Sequence, residues 1–308
     1  MINQMSKQTL SIVINTKNSQ TTIVRTLQSV RQVADEIVVV DMQSSDQTVE
    51  LAKRYTDRIF SYPDVGYVEP ARNFAVSKAK SDWILVIDAD EEISTGLRNF
   101  LFELKENKLP DHLKADCYFL PRQNVIFGKW IEKTGWWPDF QLRLFASGRV
   151  EWLEQIHSIP MTTGKTIELP ARDQYALIHH NYQTVDQFVD RLNRYTHIEA
   201  NQGGKVTSPQ ILNDYLEEML RRLFAQKGID EGIHGLALSL LQSNYPLLSG
   251  LKKWQNNGFK PSKGEQLQVI KTLKKFQSDL NYWIADWHVR HSHGAIKIGW
   301  KLRRKFKI

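Results

Sequence analysis

The sequence predicts an α/β fold in which a mostly parallel sheet is flanked by helices and followed by a helical subdomain. Short apolar segments alternate with helical apolar stripes in the first third of the chain, a pattern typical of βαβ units. Two of these segments, residues 36–41 and 83–88, end in aspartate. From residue 184 onward, apolar residues recur at helical spacing instead.

Strands and helices are predicted to alternate through the first third of the chain. Residues 10–15 are apolar and rich in β-branched side chains, which predicts a first strand. The next stripe of apolar residues has helical spacing, and residues 44–46 supply an N-cap for a later helix. The predicted elements after the first strand are a helix from residue 21, a strand at 36–41, a helix after residue 46, a strand at 58–61, a helix at 69–80 and a strand at 83–87.

The composition places the protein among globular proteins of a reducing compartment. Of its 308 residues, 41% are hydrophobic and 24% are charged, as in ordinary soluble domains. The single cysteine, Cys117, excludes an intramolecular disulfide framework. The first residues lack an apolar signal core, and no stretch reaches the roughly 20 apolar residues of a membrane span. We therefore expect a cytoplasmic protein, and its net charge of +7 permits anionic partners.

Acidic residues follow the buried strand at 83–87. Asp88 and Asp90 lie where ligands gather in parallel sheets, at the carboxyl end of a strand. Two close carboxylates repel each other unless a cation or a ligand hydroxyl lies between them. The competing explanation is that Asp88 caps the next helix and the other acids are solvated. The sequence lacks both Gly-x-Gly-x-x-Gly and a Gly-Lys-Ser/Thr phosphate loop, which argues against those two kinds of nucleotide site.

Several ordered motifs resemble glycosyltransferase family 2. They lie at residues 11–18, 35–41, 44–48, 71–73 and 88–91. The resemblance implies the GT-A fold, a nucleotide-binding α/β sheet with an acceptor-binding half. It implies a catalytic domain at residues 1–183, divided into a nucleotide-sugar half at 1–110 and an acceptor half at 111–183. A helical subdomain at 184–308 would follow.

The same resemblance implies roles for individual residues. The donor would be a nucleoside diphosphate sugar, commonly a UDP-sugar, and the cofactor would be Mg²⁺ or Mn²⁺, which prefer oxygen ligands. The implied contacts are Thr16 and Asn18 at the nucleotide edge, Asp41 at the base, Asp46 more loosely in the same site, Arg72 at the base or diphosphate, Asp88 at the ribose and Asp90 on the metal. Taken singly, Asp41 would be read as a turn acid and Arg72 as a surface ion-pair partner; it is their combination that favours the nucleotide site.

An aromatic segment leads into Trp-Pro-Asp-x-Gln-x-Arg-Leu-Phe at residues 137–145. This pattern resembles a subgroup that includes bacterial lipopolysaccharide-core β-glucosyltransferases. Asp139 is the candidate catalytic base, since inverting transfer needs a group that takes the acceptor proton; alternatively it caps a turn. Trp136 and Trp137 either stack on sugar rings or fill the core. Arg143 would orient a phosphate or Asp139, or brace the fold.

Two further segments contain candidate acidic and histidine residues. Residues 152–158 resemble another subgroup element, but Ser158 stands where glutamate usually follows His157, and Glu154 is either a substitute acid or surface. His179 and His180 are candidates to approach the metal or diphosphate, with a structural role as the alternative.

The second part of the chain is predicted to be helical. Helices are expected from residue 184, after Ser208, at 231–243 and at 265–289, with breaks at Pro246 and at 255–258. Residues 296–307 interleave basic residues with apolar ones, which suits an anionic membrane surface. A frayed, solvated tail is the alternative.

These observations predict an inverting, metal-dependent glycosyltransferase. It would move glucose or a similar hexose from a UDP-sugar to a hydroxyl of a lipid-linked or lipopolysaccharide-type glycan, at the inner face of the cytoplasmic membrane. Two alternatives stay open. A sugar-nucleotide nucleotidyltransferase would need a glycine-rich loop after the first strand. A non-catalytic scaffold or nucleic-acid-binding protein would use the positive charge, but acids at strand ends repel phosphate backbones, so no nucleic acid partner is expected.

Overall fold

A computed structural model of the chain describes residues 7–66, 68–153, 160–261 and 264–307. The chain divides into two compact units. Unit 1 comprises Met1–Val125 and Trp137–Asn181, and unit 2 comprises Ile126–Trp136 and Tyr182–Ile308.

The strands lie mainly in unit 1. They are β1 (Leu10–Thr16), β2 (Glu36–Asp41), β3 (Ile59–Ser61), β4 (Trp83–Asp88), β5 (Glu91–Ile93), β6 (Cys117–Leu120), β7 (Arg122–Ile126), β8 (Lys129–Trp130), β9 (Gln141–Ala146), β10 (Val150–Glu151), β11 (Met161–Thr162), β12 (Thr166–Glu168) and β13 (Leu177–His180). The α-helices are α1 (Ile23–Val30), α2 (Thr48–Ala52), α3 (Glu69–Val76), α4 (Thr95–Lys105), α5 (Val185–Asn201), α6 (Ser208–Leu220), α7 (Gly232–Asn256), α8 (Gln266–His291) and α9 (Gly294–Phe306).

A seven-stranded sheet in the order β12-β6-β9-β4-β1-β2-β3 forms the centre of unit 1. β1 pairs in parallel with both β2 and β4, whereas β9 runs antiparallel to both β4 and β6. Alternate residues of β1 enter different apolar clusters: Ile12 and Ile14 belong to one, and Val13 to the other. The sheet therefore buries both faces, which explains why its strands are apolar without interruption. This architecture confirms the predicted α/β fold with its mostly parallel sheet.

Shorter elements complete unit 1. A second sheet includes β5, β13 and β7 in that order, and β13 runs antiparallel to β5 and parallel to β7. β10 pairs with β11. Single turns of 3₁₀-helix lie at Asp111–Leu113 and Asp173–Tyr175. The second sheet matters for function because it brings β13 beside the acidic residues that follow β4.

Unit 2 is built mainly from α5 to α9. A π-helical turn, Arg221–Ala225, extends α6, and a 3₁₀ turn, Gly228–Glu231, precedes α7. Its apolar cluster is made by side chains of the 126–136 segment and of α5 and α7, including Ile126, Ile131, Phe188, Leu192 and Leu238. Within the described ranges, no helix combines the length and the apolar composition needed to cross a membrane.

The structure corrects several sequence-based boundaries. The helix predicted at 69–80 ends at Val76. The predicted break at Pro246 is wrong, because α7 continues through this proline to Asn256. Residues 294–306 form a regular helix, α9, and not a frayed tail. The strand β13, which carries both candidate histidines, was not predicted.

Candidate functional site

The carboxyl ends of β1, β2 and β4 coincide at one edge of the large sheet, which we call the carboxyl edge. Thr16 pairs with Asp41 across β1 and β2, and Asn15 pairs with Asp88 across β1 and β4. Since β1 lies between the other two strands, the backbones of Asp41 and Asp88 are separated by two strand spacings, or roughly 10 Å. The structure therefore brings the predicted residues Thr16, Asp41 and Asp88 to one edge.

Three oxygen atoms at the carboxyl edge are buried without a hydrogen-bond partner among the described residues: Asn15 Oδ1, Thr16 Oγ1 and Asp41 Oδ1. The other end of each amide or carboxylate is fixed, because Asn15 Nδ2 donates to Ala71 O at 3.0 Å and Asp41 Oδ2 accepts from Ser44 N at 3.0 Å. Buried polar atoms are costly when unpaired. A polar ligand at this edge could donate the hydrogen bonds that these three oxygen atoms lack.

Asn18 and Asp46 tie together the loops that follow β1 and β2. Asn18 has φ 48° and accepts a hydrogen bond from Ser45 N at 2.8 Å. Asp46 accepts from Thr48 N at 3.0 Å and from Gln20 N at 3.1 Å. Desolvation raises the pKa of Asp46, but the hydrogen bond from the Thr48 hydroxyl and these backbone hydrogen bonds outweigh it and lower the pKa. Both predicted residues thus shape the loops above the carboxyl edge, while any contact with a ligand stays a prediction.

Asp88 is held between two arginines. Arg72 Nη2 lies 3.2 Å from Asp88 Oδ1, Arg143 Nη1 lies 3.2 Å from the same oxygen, and Arg143 Nη2 pairs with Asp88 Oδ2. Burial raises the pKa of Asp88, but the charges of Arg143 and Arg72 outweigh it and hold the pKa far below its usual range. Asp88 is therefore ionised at any physiological pH.

The pairing continues through the fully buried Glu91. Its Oε1 lies 3.3 Å from both Arg143 Nη2 and Arg122 Nη1, and its Oε2 accepts from Asp88 N at 2.9 Å. Arg122 Nε in turn donates to Asp139 Oδ2 at 2.8 Å. An ion-pair network therefore runs from the carboxyl edge to the candidate base. It joins three arginines, Arg72, Arg122 and Arg143, to three carboxylates, Asp88, Glu91 and Asp139.

Asp139 accepts hydrogen bonds at both oxygens. Arg122 Nε and Asn124 Nδ2 donate to Oδ2 at 2.8 and 3.0 Å, and Gln141 Nε2 donates to Oδ1 at 2.8 Å. Desolvation raises the pKa of Asp139, but the charge of Arg122 and these donors outweigh it and lower the pKa. The carboxylate of Asp139 is thus ionised and can take up a proton. Its lowered pKa makes it a weaker base than an ordinary aspartate.

A second chain of contacts starts at Asn124 and ends at Asp90. Asn124 Oδ1 lies 2.7 Å from His179 Nδ1, and His179 Nε2 lies 3.4 Å from Asp90 Oδ2. Asn124 and His179 are buried, and Asp90 is half-buried. The neighbouring histidine has a different partner, since His180 Nε2 pairs with Glu92 Oε1. The structure therefore brings the imidazole of His179, and not that of His180, to the Asp90 carboxylate, while His180 contacts Asp90 through its backbone, from N to O at 2.9 Å.

The Asp90–His179 pair fits a divalent cation. Two adjacent ligands at ~2.1 Å from an octahedral ion are about 3 Å apart, which is close to the 3.4 Å between Asp90 Oδ2 and His179 Nε2. Across the described ranges, no cluster of three or more acidic, histidine or cysteine side chains is arranged to hold an ion. Mg²⁺ is commonly bound by one or two carboxylates together with substrate phosphates and water. Asp90 suits that mode, and the imidazole of His179 would be the second protein ligand.

The remaining predicted residues lie apart from these contacts. Trp136 belongs to unit 2, where its ring meets Tyr182 edge-on with 6.3 Å between centroids. Trp137 belongs to unit 1 and is half-buried. The contact of Trp136 is a packing contact, and sugar stacking by either tryptophan stays a prediction. Glu154, His157 and Ser158 lie outside the described residues.

The sequence did not single out four residues of the site, which are Asn15, Glu91, Arg122 and Asn124. Arg122 and Asn124 alternate on β7 and point polar groups to the same side of a strand, which is the signal that could have found them. Glu91 looked like one of several solvated acids because nothing in the sequence shows that it is buried between two arginines.

Comparisons with known proteins agree with this architecture. Residues 11–109 match the family described as Glycosyl transferase family 2. An uncharacterized glycosyltransferase of Rickettsia typhi is 42% identical over 245 residues, which cover 75% of this chain and 82% of the relative. The chain belongs to glycosyltransferase family 2. This membership favours a transferase over the nucleotidyltransferase and the scaffold considered from the sequence.

This chain is also similar, at lower sequence identity, to two further proteins. The lipopolysaccharide core biosynthesis glycosyltransferase LpsC of Rhizobium meliloti is 25% identical over 272 residues, covering 82% of this chain and 95% of LpsC. The crystal structure of glucosyl-3-phosphoglycerate synthase from Mycobacterium tuberculosis, in complex with Mn²⁺ and UDP-glucose, matches with a TM-score of 0.31 and 19% identity. That match covers 36% of this chain and 42% of the synthase.

Proposed function

We propose that the glycosyltransferase moves a hexose from a UDP-sugar to a hydroxyl of a lipid-linked or lipopolysaccharide-type glycan, with inversion at the anomeric carbon. The observation that carries this proposal is the shared carboxyl edge. There, Thr16 and Asp41, each with one oxygen that has no hydrogen-bond partner among the described residues, end the neighbouring strands β1 and β2, and β1 lies beside the strand that ends in Asp88. The Asp90–His179 pair follows directly after that strand.

The donor nucleotide would bind along the carboxyl edge. Asp41 Oδ1, an acceptor without a partner among the described residues, suits the N–H of a uracil base. A carboxylate offers about four acceptor positions, and the arginines occupy three on Asp88, so a ribose hydroxyl can take the fourth. Arg72 Nε is likewise buried without a partner in the described part of the chain, and it can donate to the diphosphate.

Asp90 and His179 would hold Mg²⁺ or Mn²⁺ together with the donor diphosphate. A bound divalent ion offsets the negative charge that grows on the leaving diphosphate. The protein's own contribution is orientation, because the Asn124 contact fixes the imidazole that faces Asp90.

Asp139 would take the proton of the acceptor hydroxyl. The acceptor oxygen attacks the anomeric carbon from the face opposite the diphosphate, the bond to UDP breaks with its electron pair, and the proton passes to Asp139. Arg122 and Asn124 keep this carboxylate ionised. Because its pKa is low, transfer to Asp139 becomes favourable only as the new bond forms and the attacking oxygen becomes more acidic.

The acceptor class is proposed from the subgroup resemblance of residues 137–145 and from the similarity to LpsC. A glycan carried on a lipid is presented at a membrane surface. We therefore place the working enzyme at the cytoplasmic face of a membrane.

The metal assignment is tested with Asp90→Asn, which keeps the shape of the side chain and removes its charge. Turnover of UDP-glucose with Mn²⁺, measured as UDP release, should fall by on the order of 10² or more, and EDTA should abolish the wild-type rate. Asp57→Asn, an exposed acid before β3, should leave turnover unchanged. If neither EDTA nor Asp90→Asn lowers the rate, the metal assignment is wrong.

The donor assignment is tested by thermal stabilisation. A ligand that binds the folded state raises its stability by RT ln(1 + [L]/Kd), or about 2.7 kcal/mol at a hundredfold excess over Kd. UDP-sugars with Mn²⁺ should raise the melting temperature more than GDP-sugars do, and Asp41→Ala should remove that difference. Preferential stabilisation by a purine nucleotide sugar would contradict the role of Asp41.

A further inference from the structure

The helix α9 has two chemically different faces. One face is half-buried and includes Lys297, Trp300 and Arg304. Trp300 stacks on His288 of α8 with 3.8 Å between ring centroids, and Arg304 Nη1 lies 2.7 Å from Asp286 Oδ1 of the same helix. These contacts fix the rotation of α9 about its own axis, so the opposite face is defined as well.

The opposite face carries an exposed apolar stripe. Ile298, Leu302 and Phe306 are 62%, 55% and 61% exposed. Their spacing of four residues places them on one side of a helix, one turn apart. Scattered exposed apolar residues are ordinary in proteins. Three large apolar side chains in a row on one regular helix form a surface whose removal from water is favourable.

Basic residues border this apolar stripe. Between Gly294 and Phe306 the sequence has five lysines and arginines and no acid. Lys301, Arg303 and Lys305 are exposed, and in the described part of the chain none of them forms a salt bridge, in contrast to Arg304. The stripe and its border therefore combine apolar area with positive charge on the side of α9 that faces away from α8.

We propose that this face of α9 docks on an anionic lipid bilayer, with Ile298, Leu302 and Phe306 entering the interface and Lys301, Arg303 and Lys305 contacting lipid phosphates. Such a helix lies in the plane of the interface. A nucleic acid would use the charges but leave the apolar stripe in water. The inference rests on the proposed lipid-borne acceptor, because docking would bring the enzyme to the surface where that acceptor is presented.

The test is co-sedimentation of the purified full chain with vesicles, without sugar nucleotide or metal. The chain should bind vesicles of phosphatidylcholine and phosphatidylglycerol in equal amounts far more tightly than vesicles of phosphatidylcholine alone. Each basic residue near an anionic surface contributes about 1 kcal/mol, which is roughly fivefold in affinity at 1.4 kcal/mol per factor of ten. Lys301→Gln/Arg303→Gln/Lys305→Gln should therefore weaken binding on the order of 100-fold.

A matched control removes the same charges elsewhere. Lys53→Gln/Arg54→Gln/Lys80→Gln changes three exposed residues of unit 1 and lowers the net charge equally, so it should bind vesicles like the wild type. Ile298→Gln/Leu302→Gln/Phe306→Gln keeps every charge and should also release the chain from anionic vesicles. Circular dichroism checks that each variant retains its helix content.

Three results would overturn the proposal. They are equal binding to both kinds of vesicle, equal loss in the control and the α9 charge variant, and full binding by the apolar variant. Binding of DNA that the α9 charge variant abolishes but the apolar variant keeps would mark a nucleic-acid surface instead. Since binding is measured without donor or metal, a failure here leaves UDP release intact as a separate test of the transferase.

Discussion

The side-chain amide of Asn124 illustrates how a single residue can set the chemistry of its neighbours. The carboxylate of Asp139 can only accept a hydrogen bond, so the amide nitrogen of Asn124 must face it. The amide oxygen then faces His179 Nδ1 at 2.7 Å, and this nitrogen must carry the ring proton. The lone pair of Nε2 is left on the side of Asp90, as a metal ligand requires.

We therefore predict that Asn124 controls metal affinity through His179. Asn124→Ala should weaken Mn²⁺ binding by roughly 10- to 100-fold, the usual effect of losing a group that orients a ligand. Asn124→Asp keeps an acceptor for His179 Nδ1 but places a second carboxylate beside Asp139, so it should recover only part of the Mn²⁺ affinity that Asn124→Ala loses. Isothermal titration of Mn²⁺ in the presence of UDP measures both.

The matched control is Gln123→Ala, the preceding residue on β7, which should leave Mn²⁺ affinity unchanged. Correlation of ring protons and nitrogens by NMR gives an independent measurement, because the His179 signals should move to the other tautomer or to a mixture in Asn124→Ala. Equal Mn²⁺ affinity in Asn124→Ala and the wild type would show that His179 needs no such orientation.

The sequence predicts the acidic residues at strand ends but not the residues that they contact. Asp41 and Asp88 are visible because each ends an apolar run. Arg143 contacts Asp88 across 55 positions of sequence and Glu91 across 52, and nothing local specifies such pairs. The Asn124–His179 contact also depends on β13 lying beside β7, a pairing that follows from the tertiary fold.

Elements were predictable where local pattern and burial agree. β1, β2 and β4 are buried on both faces, and each was expected to within one residue of its observed ends. Pro246 misled the prediction because a proline costs about 3 kcal/mol inside a helix. α7 buries Leu238 and Ser243 before this proline and Ser249 and Gly250 after it. Packing on both sides can therefore offset the lost hydrogen bond.

Two glycines of unit 2 give a prediction about helix packing. A Cβ at Gly235 of α7 would lie 1.9 Å from the backbone oxygen of Gly228, whereas a Cβ at Gly299 of α9 would meet nothing within 4 Å. Gly235→Ala should therefore destabilise the protein by about 1–3 kcal/mol through overpacking. Gly299→Ala should stabilise its helix by roughly 0.5–1 kcal/mol, because alanine loses less entropy than glycine.

Urea unfolding followed by circular dichroism measures both substitutions, which are chemically identical and differ in their surroundings. The pair is its own control, since any general effect of adding a methyl group to a helix appears in both. Equal unfolding midpoints for the two variants would mean that the close approach of α7 to Gly228 is not a constraint on packing.

Over the whole molecule, carboxylates with lowered pKa values are present in both units. In unit 1, desolvation raises the pKa of Asp88 and of Asp139, but the arginine charges outweigh it. In unit 2, desolvation likewise raises the pKa of Glu218 and of Glu231, and hydrogen bonds from Arg221 and from Lys129 outweigh it. All four groups bind a proton less readily in the folded chain than in the unfolded one.

Because proton binding is coupled to unfolding, we predict that both units lose stability in acid. A lowered folded-state pKa contributes stability that is fully present above the unfolded values, 3.8 for aspartate and 4.5 for glutamate, and that is lost as the pH falls through the folded values. The urea midpoint should stay nearly constant from neutral pH to about pH 5 and fall steeply toward pH 3.

Asp139→Asn should be less stable than the wild type at pH 7, because the charge that faces Arg122 is lost, and should lose less stability on acidification. A wild-type midpoint that holds to about pH 3 would contradict the ion-pair network as a source of stability, since each unit of lowered pKa corresponds to about 1.4 kcal/mol.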